Sequence, residues 1–467
     1  MSRRRPRLRT VAIVAAVLLA SGAVAGYLLL RPPGDVYNPQ VEFEEPTPTP
    51  TATPAPLTGA PSMRGVDRFR WPVFGYTRDH RRTFAASAAL RGPYRRMWKI
   101  GASALLEFPP VIARGRLFQL ADDGILRAID KRTGRVRWRR DLGRLAASSP
   151  AAGRHTLYVT LLATRGSRRR GRVAAVRMRD GRVLWSRTLP SRSESSPMLD
   201  GGKLYFGTEN GTVYALRTSN GRTVWTYRAA GAVKASLTLT AGTLVFGDYS
   251  GRVQAIRTVN GRPVWVSSVS RGLRSGRFYA TAAVAYGRVY VGSTDGRQYS
   301  LSARTGRLAW ARKTGGFVYS SAAVTTAPGV GPTVYFGSYD GRFYALDARS
   351  GRTRWTFRSG GKISGSPTIV GDVVYFSDLG RSRTYGLGIR TGRRVFRAEL
   401  GGYDPIVSDG QSLFLTGRRS VTRLTPLAAG RREARQEEAR QRTRAKSGSS
   451  KTDVKVRKKK RKKRARQ

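Results

Sequence analysis

The sequence contains no cysteine and only two histidines, His80 and His155. Without thiols there are no disulfides, no thiolate metal sites, no thiol nucleophile and no lipid attachment through an N-terminal cysteine. Two lone imidazoles exclude a multi-histidine metal centre and favour plain hydrogen-bonded roles. Acids are scarce as well: 28 Asp and Glu stand against 87 Lys and Arg, for a net charge of +59. Between residues 100 and 430 the only glutamates are Glu107, Glu194, Glu209 and Glu399, which leaves few oxygen ligands for calcium. There is no phosphate-binding Gly-x-x-x-x-Gly-Lys-Ser/Thr loop. The serine-rich run Ser191–Ser196 has neither a nearby histidine nor a Gly-x-Ser-x-Gly elbow, so it offers no serine nucleophile.

What the 467 residues do hold is apolar mass and turns. Hydrophobic residues make up 40%, with 20 Tyr, 16 Phe and 8 Trp, enough for a sizeable core. The 53 glycines imply many turns. Residues 1–10 form a basic segment with Arg3, Arg4, Arg5, Arg7 and Arg9, and 11–30 are uncharged and apolar or small. Twenty such residues match the hydrocarbon core of a bilayer, and the arginines place the N-terminus inside. This predicts a single-pass signal-anchor at the cell membrane with the rest extracytoplasmic. The competing reading is a cleaved signal peptide, since Ala23-Val24-Ala25 has the form of a cleavage site. Residues 31–68, rich in Pro and Thr, read as an extended spacer without a core.

Residues 429–467 read as a disordered basic tail, because blocks of like charge repel. Of the +59, residues 430–467 hold +14 and the first ten residues +5, which leaves +40 on residues 11–429. The folded part is therefore basic in its own right. Such a charge favours anionic partners such as envelope polymers or lipid, with nucleic acid a less favoured option outside the membrane.

A repeat decides the fold. The segment from Ala128 through Gly134-Arg135 to Trp138 recurs with Gly-Arg pairs at 181–182, 221–222, 261–262, 306–307, 351–352 and 392–393. An aromatic residue follows four positions after each glycine: Trp138, Trp185, Trp225, Trp265, Trp310, Trp355 and Phe396. The intervals between them, 47, 40, 40, 45, 45 and 41 residues, equal a four-stranded propeller blade. Asn-Gly and Asp-Gly pairs such as Asn210-Gly211 and Asp295-Gly296 mark tight hairpins. Trp98 lies on an orphan strand 40 residues before Trp138, and three strands after residue 403 lack a final aromatic strand. Joining them predicts an all-β, eight-bladed, monomeric β-propeller over 69–428, with seven blades as the alternative.

The motif Ala-x-Asp-x-x-Thr-Gly-x-x-x-Trp, with Asp130 and Asp347 retained, resembles the repeat of PQQ-like, quinoprotein-type propellers. The lead-in from Trp71 to Thr83 resembles theirs too. The chain resembles this group, including the BamB family of assembly lipoproteins, over about residues 69–428. In the quinoprotein enzymes the resemblance would imply a PQQ cofactor with Ca²⁺, a catalytic Asp and often a vicinal disulfide; the last is impossible here, and acids for the rest are few. The expectation is a non-enzyme without cofactor or metal, an atypical quinoprotein being the minor alternative. In the BamB family it would imply a protein-interaction scaffold in the envelope, although those proteins are lipoproteins and this chain has no cysteine.

The recurrent aromatics, with Trp98 among them, are expected to dock blade on blade. The arginine after each turn glycine is the other recurrence: Arg135, Arg182, Arg222, Arg262, Arg307, Arg352 and Arg393. Equivalent positions fall around one face of a ring. They are either ordinary exposed turn residues or a multivalent anion-binding circle.

Overall fold

The computed structural model describes residues 34–46, 69–86, 90–269 and 276–429. The expected anchor at 11–30 and the basic tail from 430 onward lie outside the described residues. Among the described residues, no helix is long and apolar enough to cross a membrane.

Eight four-stranded antiparallel blades stand around one axis, and Thr83–Phe84 adds a parallel strand to the inner edge of one of them. Blades 1 to 7 occupy residues 111–141, 151–188, 198–228, 238–267, 283–313, 323–358 and 368–398. Blade 8 takes Ile406–Ser408, Leu413–Gly417 and Ser420–Pro426 from the end of the propeller, and its outer strand Tyr94–Gly101 from the beginning. Arg423 pairs with Trp98 across that junction. Closure by strands from both ends leaves no open seam between the first and last blades.

The repeat motif has a local physical reason. In blades 1 to 7 the small residue of the third strand lies opposite the aromatic of the fourth, as in Ala128 with Trp138 and Ala215 with Trp225. Immediately after that pair the register shifts by a bulge, which bends the outer strand and re-aims its side chain. The Trp225 indole then packs on Tyr205 of the second strand, with ring centroids 5.8 Å apart. Cores of Val, Leu, Ile, Ala and aromatic residues fill the space between successive blades.

Two segments outside the blades hold the ring together. Residues 70–84 cross the axis beneath the inner strands. Arg70 and Trp71 pair with blade 1, and the Pro72 carbonyl accepts from Ala152 of blade 2. The carbonyls of Arg78, Asp79, Arg81 and Arg82 then accept from Leu239, Val284, Val324 and Ile369 of blades 4 to 7. Arg78 pairs with Asp200 of blade 3, and Arg82 with Asp404 of blade 8, so this plug reaches all eight blades.

The second segment departs from the sequence expectation. Residues 34–46, expected within the coreless spacer, are docked: Val36–Tyr37 add a fifth strand to the outer edge of blade 5. Val41 is buried, and Arg288 donates to the carbonyls of Val41 and Glu42. An open strand edge satisfies the backbone of this stretch, and Val41 and Phe43 supply the apolar contact that the neighbouring Pro/Thr run lacks.

Candidate functional site

The plug closes one end of the axis; the loops entering each inner strand line the other. These loops share a pattern in which a Ser or Thr two residues beyond the ring-lining position binds the next blade. Ser149 N donates to Ser196 Oγ at 2.9 Å, Ser236 N to Thr281 Oγ1 at 3.1 Å, and Thr281 N to Ser321 Oγ at 2.9 Å. Ser321 N donates to Ser366 Oγ at 3.1 Å, and Ser366 N to the Asp404 carboxylate at 2.8 Å. This belt satisfies buried backbone donors that face no strand. Asp404 in turn accepts from Arg82 at 3.0 Å, and both side chains are nearly fully buried. The Arg82 guanidinium stacks on Phe74, 4.4 Å from the ring centre.

Above Phe74 a cavity of about 50 Å³ opens, lined by Glu107, Glu194, Lys234, Tyr279, Tyr319 and Tyr403 among others. Lys234 Nζ lies 2.6 Å from Glu194 and 2.9 Å from Glu209, and 5.5 Å from the centre of the Tyr249 ring. Three of the four glutamates between residues 100 and 430 thus meet at one mouth of a strongly basic molecule. Burial, followed by repulsion from Asp122 and Glu194, pushes the Glu107 carboxyl up to about 7. Burial and the neighbouring Asp123 push Asp122 to about 6. Glu194 is raised by burial despite the hydrogen bond from Lys234. Burial also opposes ionisation of Glu209, but the bonds it receives hold it below the usual carboxylate range.

The aromatics of the repeat sit elsewhere, between blades. Each tryptophan donates its indole N–H to a backbone carbonyl of the next blade: Trp98 to Lys131, Trp138 to Met178, Trp185 to Thr218 and Trp225 to Thr258. Trp265, Trp310 and Trp355 do so to Ala303, Ala348 and Ile389. Each ring lies against the turn glycine of that next blade. Phe396, which has no N–H, instead meets Tyr94 of blade 8 edge-on.

The seven turn arginines occupy the face opposite the mouth, where the third strand of each blade turns into the fourth. All seven are exposed. Their backbone carbonyls accept from the end of the third strand, as Arg222 does from Arg217 at 2.8 Å. Pro426 pairs with Tyr94 at the foot of blade 8, so the chain leaves the described propeller on this same face. His80 is buried in the plug with Nδ1 3.0 Å from Thr238 Oγ1; burial and the nearby Arg82 push it down to about 3. His155 lies in a cleft of about 450 Å³ with Arg114, Arg116 and Arg179. Among the described residues, no group of three or more His, Asp or Glu side chains is placed to hold a metal ion.

The family model described as outer membrane protein assembly factor BamB matches residues 94–198, 169–397 and 320–445. The chain belongs to that family. BamB from Moraxella catarrhalis is 20% identical, with a TM-score of 0.59 over 71% of this chain and 99% of that one. Enzymes are among the structures that share the fold. A europium-containing methanol dehydrogenase is 13% identical (TM-score 0.63, covering 75% of this chain and 90% of that one). A quinohemoprotein alcohol dehydrogenase from Comamonas testosteroni is 14% identical (TM-score 0.63, 76% and 80%). No curated protein matches. At these identities the likeness of the solved structures concerns the propeller alone.

Sequence reasoning missed the glutamate mouth. Glu107 and Glu194 hold equivalent loop positions in blades 1 and 3, yet 87 residues separate them. The available signal was scarcity: where acids are few, their placement on equivalent loops is informative.

Proposed function

We propose that the chain is a membrane-anchored, extracytoplasmic scaffold that binds an envelope protein and catalyses nothing. The observation that carries this reading is the use of the axis. Phe74 of the chain's own plug floors the mouth and leaves about 50 Å³, whereas small-molecule sites span about 300–1,000 Å³. PQQ does not fit such a space. Nor does Ca²⁺, because the ammonium of Lys234 already stands between Glu194 and Glu209. The repeat aromatics are likewise committed to blade contacts. Family membership supports an assembly role, with partner binding left to the exposed loops and faces. Photocrosslinkers placed at Phe317 on the mouth face and Arg352 on the opposite face test this in intact cells. A discrete adduct with one envelope protein from either site is expected; adducts with polysaccharide or lipid alone would refute it.

A second reading has its own observation. None of the seven turn guanidiniums makes an ion pair or side-chain hydrogen bond among the described residues. A circle of unpaired arginines with a basic tail leaving the same face suits an anionic envelope polymer or lipid. Replacing all seven by Gln would then abolish retention on the anionic polymer, while the scaffold reading expects partner capture to survive.

A further inference from the structure

We propose that the channel mouth binds a primary ammonium group carried on an alkyl stem. The mouth already shows the chemistry with one of its own residues. Lys234 rests between two glutamates with its ammonium near the face of Tyr249. The same cavity holds a further carboxylate that no cation contacts. Glu107 has no hydrogen bond or ion pair among the described residues, and Tyr279, Tyr319 and Tyr403 line the wall beside it. Tyr279 and Tyr319 stand edge to face at 5.6 Å, and Tyr319 is tilted against Tyr339 at 4.9 Å, so packed rings border this side of the mouth. Carboxylate and aromatic faces together select a cation over an anion. The volume of about 50 Å³ admits the end of a chain rather than a whole planar ligand.

A protruding lysine of a partner, a free diamine and this chain's own basic tail share that chemistry. The tail leaves from the opposite face, and its 38 residues exceed the span of one domain when extended. This inference stands apart from the scaffold reading, since a free diamine satisfies it without any protein partner.

Calorimetric titration of the full chain with cadaverine and with a short lysine peptide, at about 0.15 M salt to screen exposed charge, tests the site. Saturable binding is expected, weakened at least about tenfold by Glu107→Gln and absent for the acetyl-lysine peptide. A second protein has residues 457–464 all changed to Gln. Equal binding by both proteins assigns the site to an external amine. Binding that appears or tightens only in the second protein assigns it to the tail. No saturable binding by either protein, or binding indifferent to Glu107→Gln in a normally melting variant, overturns the proposal.

Discussion

The indole N–H of Trp225 reaches the carbonyl of Thr258 in the next blade at 2.9 Å, and its ring occupies the space that a side chain on Gly261 would need. A Cβ on Gly261 would lie 2.7 Å from the indole, and its φ of +72° already disfavours any other residue. The Gly-to-aromatic spacing is thus a blade-to-blade lock, with the glycine of one repeat receiving the tryptophan of the previous one.

Gly261→Ala should destabilise the propeller by about 2–4 kcal/mol, from strain at positive φ and the clash together. Trp225→Ala should cost about 3–5 kcal/mol through the cavity it leaves. Gly34→Ala, where nothing lies within 4 Å of the new methyl, serves as the neutral control. Urea unfolding followed by tryptophan fluorescence measures all three.

The Arg82–Asp404 pair ties the plug to blade 8 from inside the axis. Asp404→Asn should cost about 3–5 kcal/mol, because it leaves a buried guanidinium without its counter-charge. Arg82→Met combined with Asp404→Leu should recover much of that loss. If the single and double variants melt alike, the pair is not what holds the plug.

Glu107 predicts a pH dependence of definite sign. Its folded carboxyl is raised to about 7 by burial and like charges, so between the unfolded value and 7 the native state binds more protons than the unfolded chain. Stability attributable to this group is therefore lost as pH rises through that window. Glu107→Gln should leave stability unchanged near pH 4 and raise it by on the order of 2 kcal/mol at pH 8. Thermal melts across that range read the difference; a gain at pH 4 instead would contradict the assignment.

The docked segment 34–46 predicts local protection. Val41→Asp should release it from blade 5 without unfolding the ring, since only one edge strand is lost. Hydrogen exchange at Asn38, whose N–H donates to the Ala309 carbonyl, should accelerate while the blade cores stay protected. Unchanged exchange would show that the edge pairing alone suffices.

The ring was legible in the sequence because each blade repeats one local solution: a small residue, a bulge, a turn glycine and an aromatic at fixed spacing. Even the mixed eighth blade followed from counting, since Trp98 lacked three partner strands and residues 406–426 lacked one. The docking of Val36–Tyr37 was hidden by composition, because a Pro/Thr-rich window outweighs two apolar residues that need a distant edge. The plug was visible only as a lead-in. Its contacts with blades 1, 2 and 4 to 7 run through the backbone, which carries no side-chain signature, while blades 3 and 8 are reached through the Arg78 and Arg82 side chains. The mouth depends on residues that differ from blade to blade, so periodicity cannot find them.

Capture of the full chain from crosslinked intact cells, washed at low and then high salt, tests the scaffold account most directly. The account predicts one discrete envelope protein recovered at both salts, because a shape-matched interface has an apolar core. Recovery of only anionic polymer or lipid, lost as salt rises through counterion release, would contradict it and point to the arginine circle instead.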